Sequence, residues 1–206
     1  MAKHSDLKRS KPSKKPKSLV VLFCEGEKTE PLYFRGINRH WGNQIVLQFP
    51  HCGTDPKGIV SAAADAKKRS KRNKKSDPNE EIEAIWCVFD RDQHFLVQEA
   101  LLQAEDNQIP VAFSNPCFEL WLLLHFQDQT AHLQRDGVSR LCANFMTNYT
   151  KGPDMDMLLP SLSDAEQRAR TLCNRQTTNN LPRCNPWTDV HELVEAMRRL
   201  SDSQPI

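Results

Sequence analysis

Acidic side chains follow two separate hydrophobic segments of the chain, and their types and spacing are suited to metal chemistry. Glu25 follows the apolar run 19–24, and Asp90 and Asp92 follow the segment 82–89, which is apolar apart from Glu83. Asp90 and Asp92 are two residues apart, so on an extended segment they can point to one side. Like charges held this close are unfavourable unless a cation neutralises them. Carboxylate oxygens suit Mg²⁺ or Mn²⁺, and such an ion can polarise a scissile phosphate.

Other polar residues near these segments have two interpretations each. Glu119 is flanked by apolar residues, where a carboxylate is costly to bury without a partner, so it is either a metal-site residue or a structural cap. Lys28 precedes a predicted helix, where it can contact a phosphate or be an ordinary exposed lysine. Arg91 can bind phosphate or form a salt bridge with a neighbouring acid. His125 follows Glu119 at a spacing of six, which favours a buried structural histidine over a second ligand.

The segments that carry the acids read as strands that alternate with helices. The continuous apolar run 19–24 is typical of a strand buried on both faces of a parallel sheet. Further strands are predicted at 45–49, 82–89 and 109–113, with helices at 29–41, 55–75 and 93–107. This order predicts an open parallel α/β sheet with helices on both faces. Because ligands bind beyond the carboxyl ends of such strands, Glu25, Asp90 and Asp92 should meet at one edge.

The pattern after residue 114 changes to helices with loops. Helices are predicted at 116–126, 138–147, 163–174 and 188–200, and the stretch 177–187 reads as a connection whose end starts the last helix and packs Trp187 onto the core. We therefore predict three parts: a disordered basic tail at 1–17, an α/β core at 18–126 and a helical extension at 127–206 that packs on the core.

The net charge of +2 hides two strongly basic stretches. One is the tail 1–17, and the other is the basic block, residues 67–75, which contains Lys67, Lys68, Arg69, Lys71 and Arg72. Both suit a polyphosphate partner, because neutralising phosphates releases counterions. The alternative is a solubilising tail and a solvated helix end. Taken together, the two stretches favour RNA or DNA as a partner.

The cysteines and the apolar runs exclude several classes of protein. The seven cysteines are scattered and form no CxxC pair, which argues against a disulfide framework or a zinc ribbon and predicts free thiols. No apolar run is long enough to span a bilayer, and the basic amino terminus lacks the apolar region of a secretory signal. A cytoplasmic protein without a membrane partner is expected.

A hydrophobic strand ending in Glu-Gly (25–26), followed by a later strand ending in Asp-x-Asp (90–92), resembles the signature of the Toprim domain of topoisomerases, primases and several nucleases. More narrowly, three segments, 23–31, 114–126 and 185–191, resemble the RloB family. The resemblance implies a Toprim-like core, with Glu25 as general acid or base or as a metal ligand and with Asp90 and Asp92 as the metal-binding pair. It also implies kinship with abortive-infection nucleases that work beside an ABC-like or AAA-type ATPase.

The first acidic motif departs from the pattern of the related overcoming-lysogenization nucleases. Those enzymes carry a second acid four residues after the first, where this chain has Thr29. Glu27 and Glu30 are the candidates to replace it, and we prefer Glu30. The predicted metal ligands are therefore Asp90, Asp92, Glu30 and Glu119, with Glu25 as the catalytic group.

The expected function is Mg²⁺- or Mn²⁺-dependent hydrolysis of phosphodiester bonds in RNA or DNA, as the effector of a bacterial anti-phage defence system. Lys28, Arg91 and the basic block would hold the nucleic-acid backbone. The alternative is a non-catalytic regulatory subunit that binds nucleic acid or an ATPase and has a structural or vestigial acidic site. A housekeeping nuclease for RNA maturation is a third hypothesis. No base-reading module is recognisable in the sequence, which leaves the choice between RNA and DNA open.

Overall fold

The computed structural model of the chain describes residues 17–73, 81–91, 96–146 and 152–203. Asp92, most of the predicted basic tail and the end of the basic block lie outside these ranges. The strands are β1 Leu19–Cys24, β2 Val46–Gln48, β3 Ile82–Asp90, β4 Val111–Asn115 and β5 Trp187–Thr188. The helices are α1 Thr29–His40, α2 Pro56–Asn73, α3 Val97–Asp106, α4 Glu119–Leu123, α5 Arg135–Phe145, α6 Met155–Leu158, α7 Leu162–Thr178 and α8 Val190–Asp202, with a 3₁₀ turn at Leu159–Ser161 before α7.

The strands form one mixed sheet in the order β2-β1-β3-β4-β5. The first four run parallel, as the alternation of strands and helices predicted. Parallel strands end at a common edge, so the residues that follow β1, β3 and β4 are brought together there. The α/β fold class and the helical carboxyl-terminal region are thus confirmed.

Helices cover both faces of the sheet, each over its own hydrophobic cluster. Along β1, Val20 and Leu22 face a cluster that is shared with α1, α4, α5, α7 and α8. The alternate residues Val21 and Phe23 face a second cluster built mainly from α2 and α3. Because successive side chains of a strand point to opposite faces, a strand covered on both sides needs the unbroken apolar run that β1 has.

β5 is an element that the sequence analysis did not predict. It runs antiparallel to the end of β4, with Ser114 opposite Thr188 and Asn115 opposite Trp187. The two hydroxyl oxygens of Ser114 and Thr188 are 3.1 Å apart, and the side-chain amide of Asn115 donates to the carbonyl of Arg183 at 2.8 Å. A strand of two residues carries no alternating pattern, which is why the stretch read as a connection. As predicted, Trp187 is buried in the core.

The helix predicted at 116–126 is shorter in the structure. Only Glu119–Leu123 is α-helical. Pro116 and Cys117 belong to the turn that leaves β4, and the amides of His125 and Phe126 bond three residues back, to Leu122 and Leu123. Among the described residues, no helix combines the length and the apolar character that a bilayer span requires.

Candidate metal-binding active site

Carboxylates from four different positions in the chain lie at the carboxyl edge of the sheet. Glu25 directly follows β1, and Asp90 is the last residue of β3. Glu119 is the first residue of α4, just after β4, and Glu30 lies in the first turn of α1. We call these residues the acidic cluster. The structure therefore brings together Glu25, Glu30, Asp90 and Glu119, while Asp92 lies outside the described residues.

Glu25 and Asp90 are joined by a hydrogen bond that crosses from one strand end to the other. The backbone N–H of Asp90 donates to Oε2 of Glu25 over 3.0 Å. The backbone N–H of Glu25 donates in turn to the carbonyl of Val88 over 2.9 Å. Because both ends of the Glu25 residue are held by β3, its carboxylate has a fixed position beside Asp90.

Glu30 folds back toward the end of β1. Its Oε1 accepts a hydrogen bond from the backbone N–H of Gly26 at 3.1 Å, and the residue is only 6% exposed. Glu27, the other candidate for the second acid, is exposed and has its Oε1 4.0 Å from Nδ1 of His51. Of the two, Glu30 is therefore the one that joins the acidic cluster.

Two carboxyl groups of the acidic cluster, those of Glu30 and Asp90, have raised pKa values. The pKa of Glu30 is raised to about 7, mainly by burial and also by the charges of Glu119 and Glu25, against backbone hydrogen bonds that lower it. Burial also raises the pKa of Asp90 well above its usual range, with added contributions from Glu30, Glu25 and Glu119. Desolvation and like charge both favour the neutral acid, so a bound cation would relieve both costs.

Arg135 is a member of the site that the sequence analysis missed. It is the first residue of α5, and its Nη2 lies 3.3 Å from Oδ2 of Asp90. Its positive charge lowers the pKa of Asp90 and opposes the effect of burial. The two residues are 45 positions apart, and no motif surrounds Arg135, so only the packing of α5 against α4 brings it to the site.

Glu119 is half-buried beside the same cluster. Its charge raises the pKa values of Asp90 and Glu30 and, after burial, that of the Cys117 thiol. Its backbone carbonyl accepts a hydrogen bond from the thiol of Cys142 at 3.4 Å. The Glu119 side chain thus interacts electrostatically with Asp90 and Glu30, and it also forms a side-chain hydrogen bond with Cys117.

The acidic cluster fits a hard divalent cation in the kind and charge of its donors. Within the described part of the chain, no three or more His, Cys, Asp or Glu side chains already stand together as a cage for one ion. Mg²⁺ does not need such a cage, because it usually takes one or two carboxylates, keeps several waters and shares oxygens of a substrate phosphate. Asp90 with Glu25, Glu30 or Glu119 satisfies that requirement.

The predicted phosphate-binding residues divide between two edges of the sheet. Lys28, at the N-cap of α1, and Arg91, directly after β3, are exposed at the edge that carries the acidic cluster. The backbone N–H of Arg91 donates to the carbonyl of Ser114 at 2.7 Å, which leaves its side chain at the end of the β3–β4 pair.

The basic block lies at the opposite edge. Its residues Lys67, Lys68, Arg69, Lys71 and Arg72 are on the last turns of α2, and Ser70 accepts a hydrogen bond from the amide of Ile82 at the start of β3. β3 has nine residues, so its two ends are about 25 Å apart at roughly 3.3 Å per residue. Nζ of Lys67 donates to the carbonyls of Asn107 and Gln108, at 2.8 and 2.6 Å. The structure therefore does not bring the basic block to the acidic cluster.

The remaining predictions concern His125 and the cysteines. His125 is 2% exposed, with Nε2 3.1 Å from the hydroxyl of Tyr33 and Nδ1 3.0 Å from the carbonyl of Trp121. It is a buried structural histidine, as predicted. All seven cysteines are free thiols, which was also predicted.

Comparison with known proteins places the chain in one family. The model of the family described as RloB-like protein matches residues 20–197, which include the whole acidic cluster and all of the sheet except Leu19, the first residue of β1. The chain has no significant match among curated proteins or among solved structures. Because the family match covers most of the sequence, the chain belongs to the RloB-like protein family.

Proposed function

We propose that this protein is a divalent-metal-dependent nuclease that hydrolyses phosphodiester bonds in RNA or DNA. The observation that carries the proposal is the acidic cluster, in which buried carboxylates from separate elements meet at the edge where α/β proteins bind ligands. Burying like charges costs folding free energy, and the cost is offset when a cation binds between the carboxylates. The resemblance to Toprim nucleases supports the same assignment.

The residues divide into groups with different tasks. Asp90, Glu30 and Glu119, together with Asp92, would hold Mg²⁺ or Mn²⁺. A bound ion would offset the negative charge that develops on the phosphate during hydrolysis. Glu25 would exchange a proton with the attacking water or the leaving oxygen, and its hydrogen bond from the Asp90 amide keeps it oriented for that task.

The cations at the two edges would contact different parts of a nucleic acid. Lys28 and Arg91 stand at the acidic edge, where a scissile phosphate would lie. The exposed members of the basic block, Lys68, Arg69 and Lys71 among them, are too distant for that phosphate and would bind the backbone about 25 Å away. Substrates long enough to reach both edges should therefore bind more tightly than short ones.

The biological role that we propose is that of an effector in bacterial defence against phages, working with an ABC-like or AAA-type ATPase. Its support is membership of the RloB-like family together with the resemblance to abortive-infection nucleases. The Arg135–Asp90 ion pair favours a form that is silent until activated, because it occupies an oxygen of a predicted metal ligand.

The same ion pair supports a second candidate, a non-catalytic subunit in which Arg135 balances the acids permanently. In that case Arg135 takes the place of a metal ion, and the protein binds nucleic acid or an ATPase without cleaving anything. The two candidates differ in their response to divalent ions and to loss of the Asp90 carboxylate.

Cleavage of labelled total RNA, transfer RNA and plasmid DNA by the purified protein, alone and together with its ATPase, tests the proposal. The reactions contain Mg²⁺, Mn²⁺ or EDTA and compare the wild type with Asp90→Asn and Glu25→Gln. We expect cleavage with a divalent ion, none with EDTA, and a loss of at least about a hundredfold in either variant, because each removes a group that acts in the transition state.

A matched control removes an acid that lies elsewhere. Glu105→Gln changes the same charge on an exposed position near the end of α3, at the edge opposite the acidic cluster, and should cleave like the wild type. Cleavage that survives EDTA, or that persists in Asp90→Asn, would contradict the metal-dependent mechanism. No cleavage by the folded wild type with its ATPase present would favour the non-catalytic subunit.

A further inference from the structure

A cleft of about 360 Å³ opens beside Glu25 and is separate from the carboxylates on the other side of that residue. Its walls are the end of β1 with the following turn, the outer side of α1 and the segment 49–54 after β2. A volume near the lower end of the range of about 300–1,000 Å³ for ligand sites suits one small polar ligand. Because Glu25 directly follows β1 and lines the cleft, any ligand in the cleft lies next to the proposed catalytic carboxylate.

Arg35 provides the positive charge of the cleft. Of the described residues that line it, Arg35 is the single arginine or lysine. Its guanidinium lies over the ring of Phe49, with Cζ 4.7 Å from the ring centre. A guanidinium stacked on an aromatic ring still has its N–H groups pointing outward in its own plane, where two of them can donate to one phosphate. Because the stacked side chain is already ordered, it loses little conformational entropy when it binds.

The opposite wall of the cleft is fixed to the catalytic edge. The thiol of Cys52 points to the carbonyl of Cys24 at 3.7 Å, which connects the segment 49–54 to the last residue of β1. Gly53 has a φ of +76° and nothing within 4 Å of the place where a Cβ would stand, so the backbone there is open to a ligand. The cleft is thus built from three elements, one of which, the end of β1, leads directly into Glu25.

The charges around the cleft restrict what it can hold. Glu25 and Glu27 line it with Arg35, so a free small anion gains from one arginine and is repelled by two carboxylates. The balance of charges is different for a polynucleotide. Its scissile phosphate is held at the acidic cluster, so the neighbouring phosphate needs only one nearby positive charge. Arg35 is placed to be that partner.

We propose that this cleft is a subsite for the nucleotide adjacent to the scissile phosphate. Arg35 binds the phosphate of that nucleotide, and Phe49 holds the guanidinium in position. This inference rests on the proposed nuclease function. It adds a contact that determines which phosphodiester bond of the substrate lies at the acidic cluster. Arg35 is a substrate-binding residue in this proposal, so its loss should weaken binding and leave the chemical step unchanged.

The test compares Arg35→Ala with Arg39→Ala, which removes an exposed arginine one turn further along the same helix, outside the cleft. We expect Arg35→Ala to raise KM about tenfold with kcat within about twofold, because a hydrogen-bonded charge contact is lost. Arg39→Ala should leave both constants unchanged. Arg35→Lys should restore part of the loss, and Phe49→Leu should raise KM less than Arg35→Ala does.

A modified substrate identifies the contact. Replacing the charged phosphate next to the scissile bond by a neutral methylphosphonate should raise KM for the wild type and for Arg39→Ala, and should have no further effect on Arg35→Ala. Equal KM values for Arg35→Ala and Arg39→Ala, or a methylphosphonate effect that persists undiminished in Arg35→Ala, would overturn the subsite.

Binding measurements separate this inference from the nuclease proposal. Fluorescence anisotropy of a labelled oligonucleotide, with Ca²⁺ in place of Mg²⁺, reports affinity without cleavage. If the wild type binds but never cleaves, the nuclease proposal fails, and the subsite stands only if Arg35→Ala weakens binding about tenfold relative to Arg39→Ala. If the wild type neither binds nor cleaves, both proposals are wrong.

Discussion

Glu30 reaches the end of β1 because residue 26 is a glycine. A Cβ atom at Gly26 would lie 2.0 Å from Oε2 of Glu30 and 2.5 Å from its Oε1, far inside any permitted contact. The same glycine donates its backbone N–H to Oε1 of Glu30 at 3.1 Å. The Glu-Gly pair after β1 thus supplies one acid directly and leaves the space that a second acid occupies.

Gly26→Ala should displace the Glu30 carboxylate while the fold persists, because the clash is with the far end of a flexible side chain. We expect a loss of about ten- to a hundredfold in Mn²⁺ affinity, the usual cost of disturbing groups that orient metal ligands. Isothermal titration with Mn²⁺ measures the loss. Gly137→Ala on α5, where an added Cβ meets its nearest neighbour at 3.5 Å, is the control and should bind Mn²⁺ like the wild type. Unchanged affinity in Gly26→Ala would exclude Glu30 from the site.

Arg135→Gln should move the pH dependence of cleavage. Arg135 lowers the pKa of Asp90, so its removal raises that pKa, and the carboxylate form that binds a cation requires a higher pH. We expect the acidic limb of the kcat/KM profile to shift to higher pH, as for loss of a neighbouring opposite charge. Arg140→Gln, one turn along the same helix, should show no shift. A downward shift would mean that Arg135 does not act through Asp90.

His125 should make the fold sensitive to acid. Burial lowers its pKa to about 4 from a usual value near 6.5, so between these pH values the unfolded chain binds a proton that the folded chain does not. The unfolding free energy contributed by the neutral, buried His125 is fully present above pH 6.5 and falls by about 3 kcal/mol as the pH drops to 4. Urea unfolding of wild type and His125→Asn across this window measures the difference. His132→Asn, at an exposed histidine, should follow the wild type. If the unfolding free energy depends on pH in the same way in all three proteins, His125 does not cause the acid sensitivity.

Glu166→Gln should loosen the packing of the helical extension on the α/β core. Glu166 on α7 is buried and forms an ion pair with Arg198 on α8, whose guanidinium stacks over Trp41 at the end of α1. Because Arg198 is partly exposed, we expect a loss of about 2 kcal/mol in unfolding free energy, less than for a fully buried pair. Glu195→Gln breaks two more exposed ion pairs, with Arg170 and Arg199, and should cost less than Glu166→Gln. Equal losses of unfolding free energy in the two variants would mean that the contact between Arg198 and Trp41 adds no stability.

Long-range patterns made most of the fold predictable. The unbroken apolar run of β1, the largely apolar β3 and the helical periodicity between them specify a parallel α/β sheet, because only covered strands tolerate such sequences. β5 escaped prediction because Trp187 and Thr188 become a strand only by pairing with Asn115 and Ser114. The length of α4 was overestimated because a helix of five residues and the turns on either side share one apolar composition.

The candidate site was predictable where its residues follow strands. Glu25 and Asp90 lie at the strand ends that the sequence indicated, and Glu30 and Glu119 lie beside them. Arg135 could not be found, because it reaches Asp90 through the packing of a distant helix. The sequence predicted that the basic block holds the nucleic-acid backbone, but not how far from the acidic cluster it lies. That distance depends on the direction of α2, which carries Lys71 away from the edge at which the helix begins, and composition alone does not contain this information.

The most direct test of the central claim is to measure Mn²⁺ binding and cleavage rate on the same samples of wild type and Asp90→Asn. The acidic cluster should bind Mn²⁺ in the wild type, and the concentration that gives half-maximal binding should match the one that gives half-maximal cleavage. In Asp90→Asn both should be lost together. If cleavage saturates at a Mn²⁺ concentration unrelated to binding, or if Asp90→Asn binds Mn²⁺ as the wild type does, the acidic cluster is not the metal site of a nuclease.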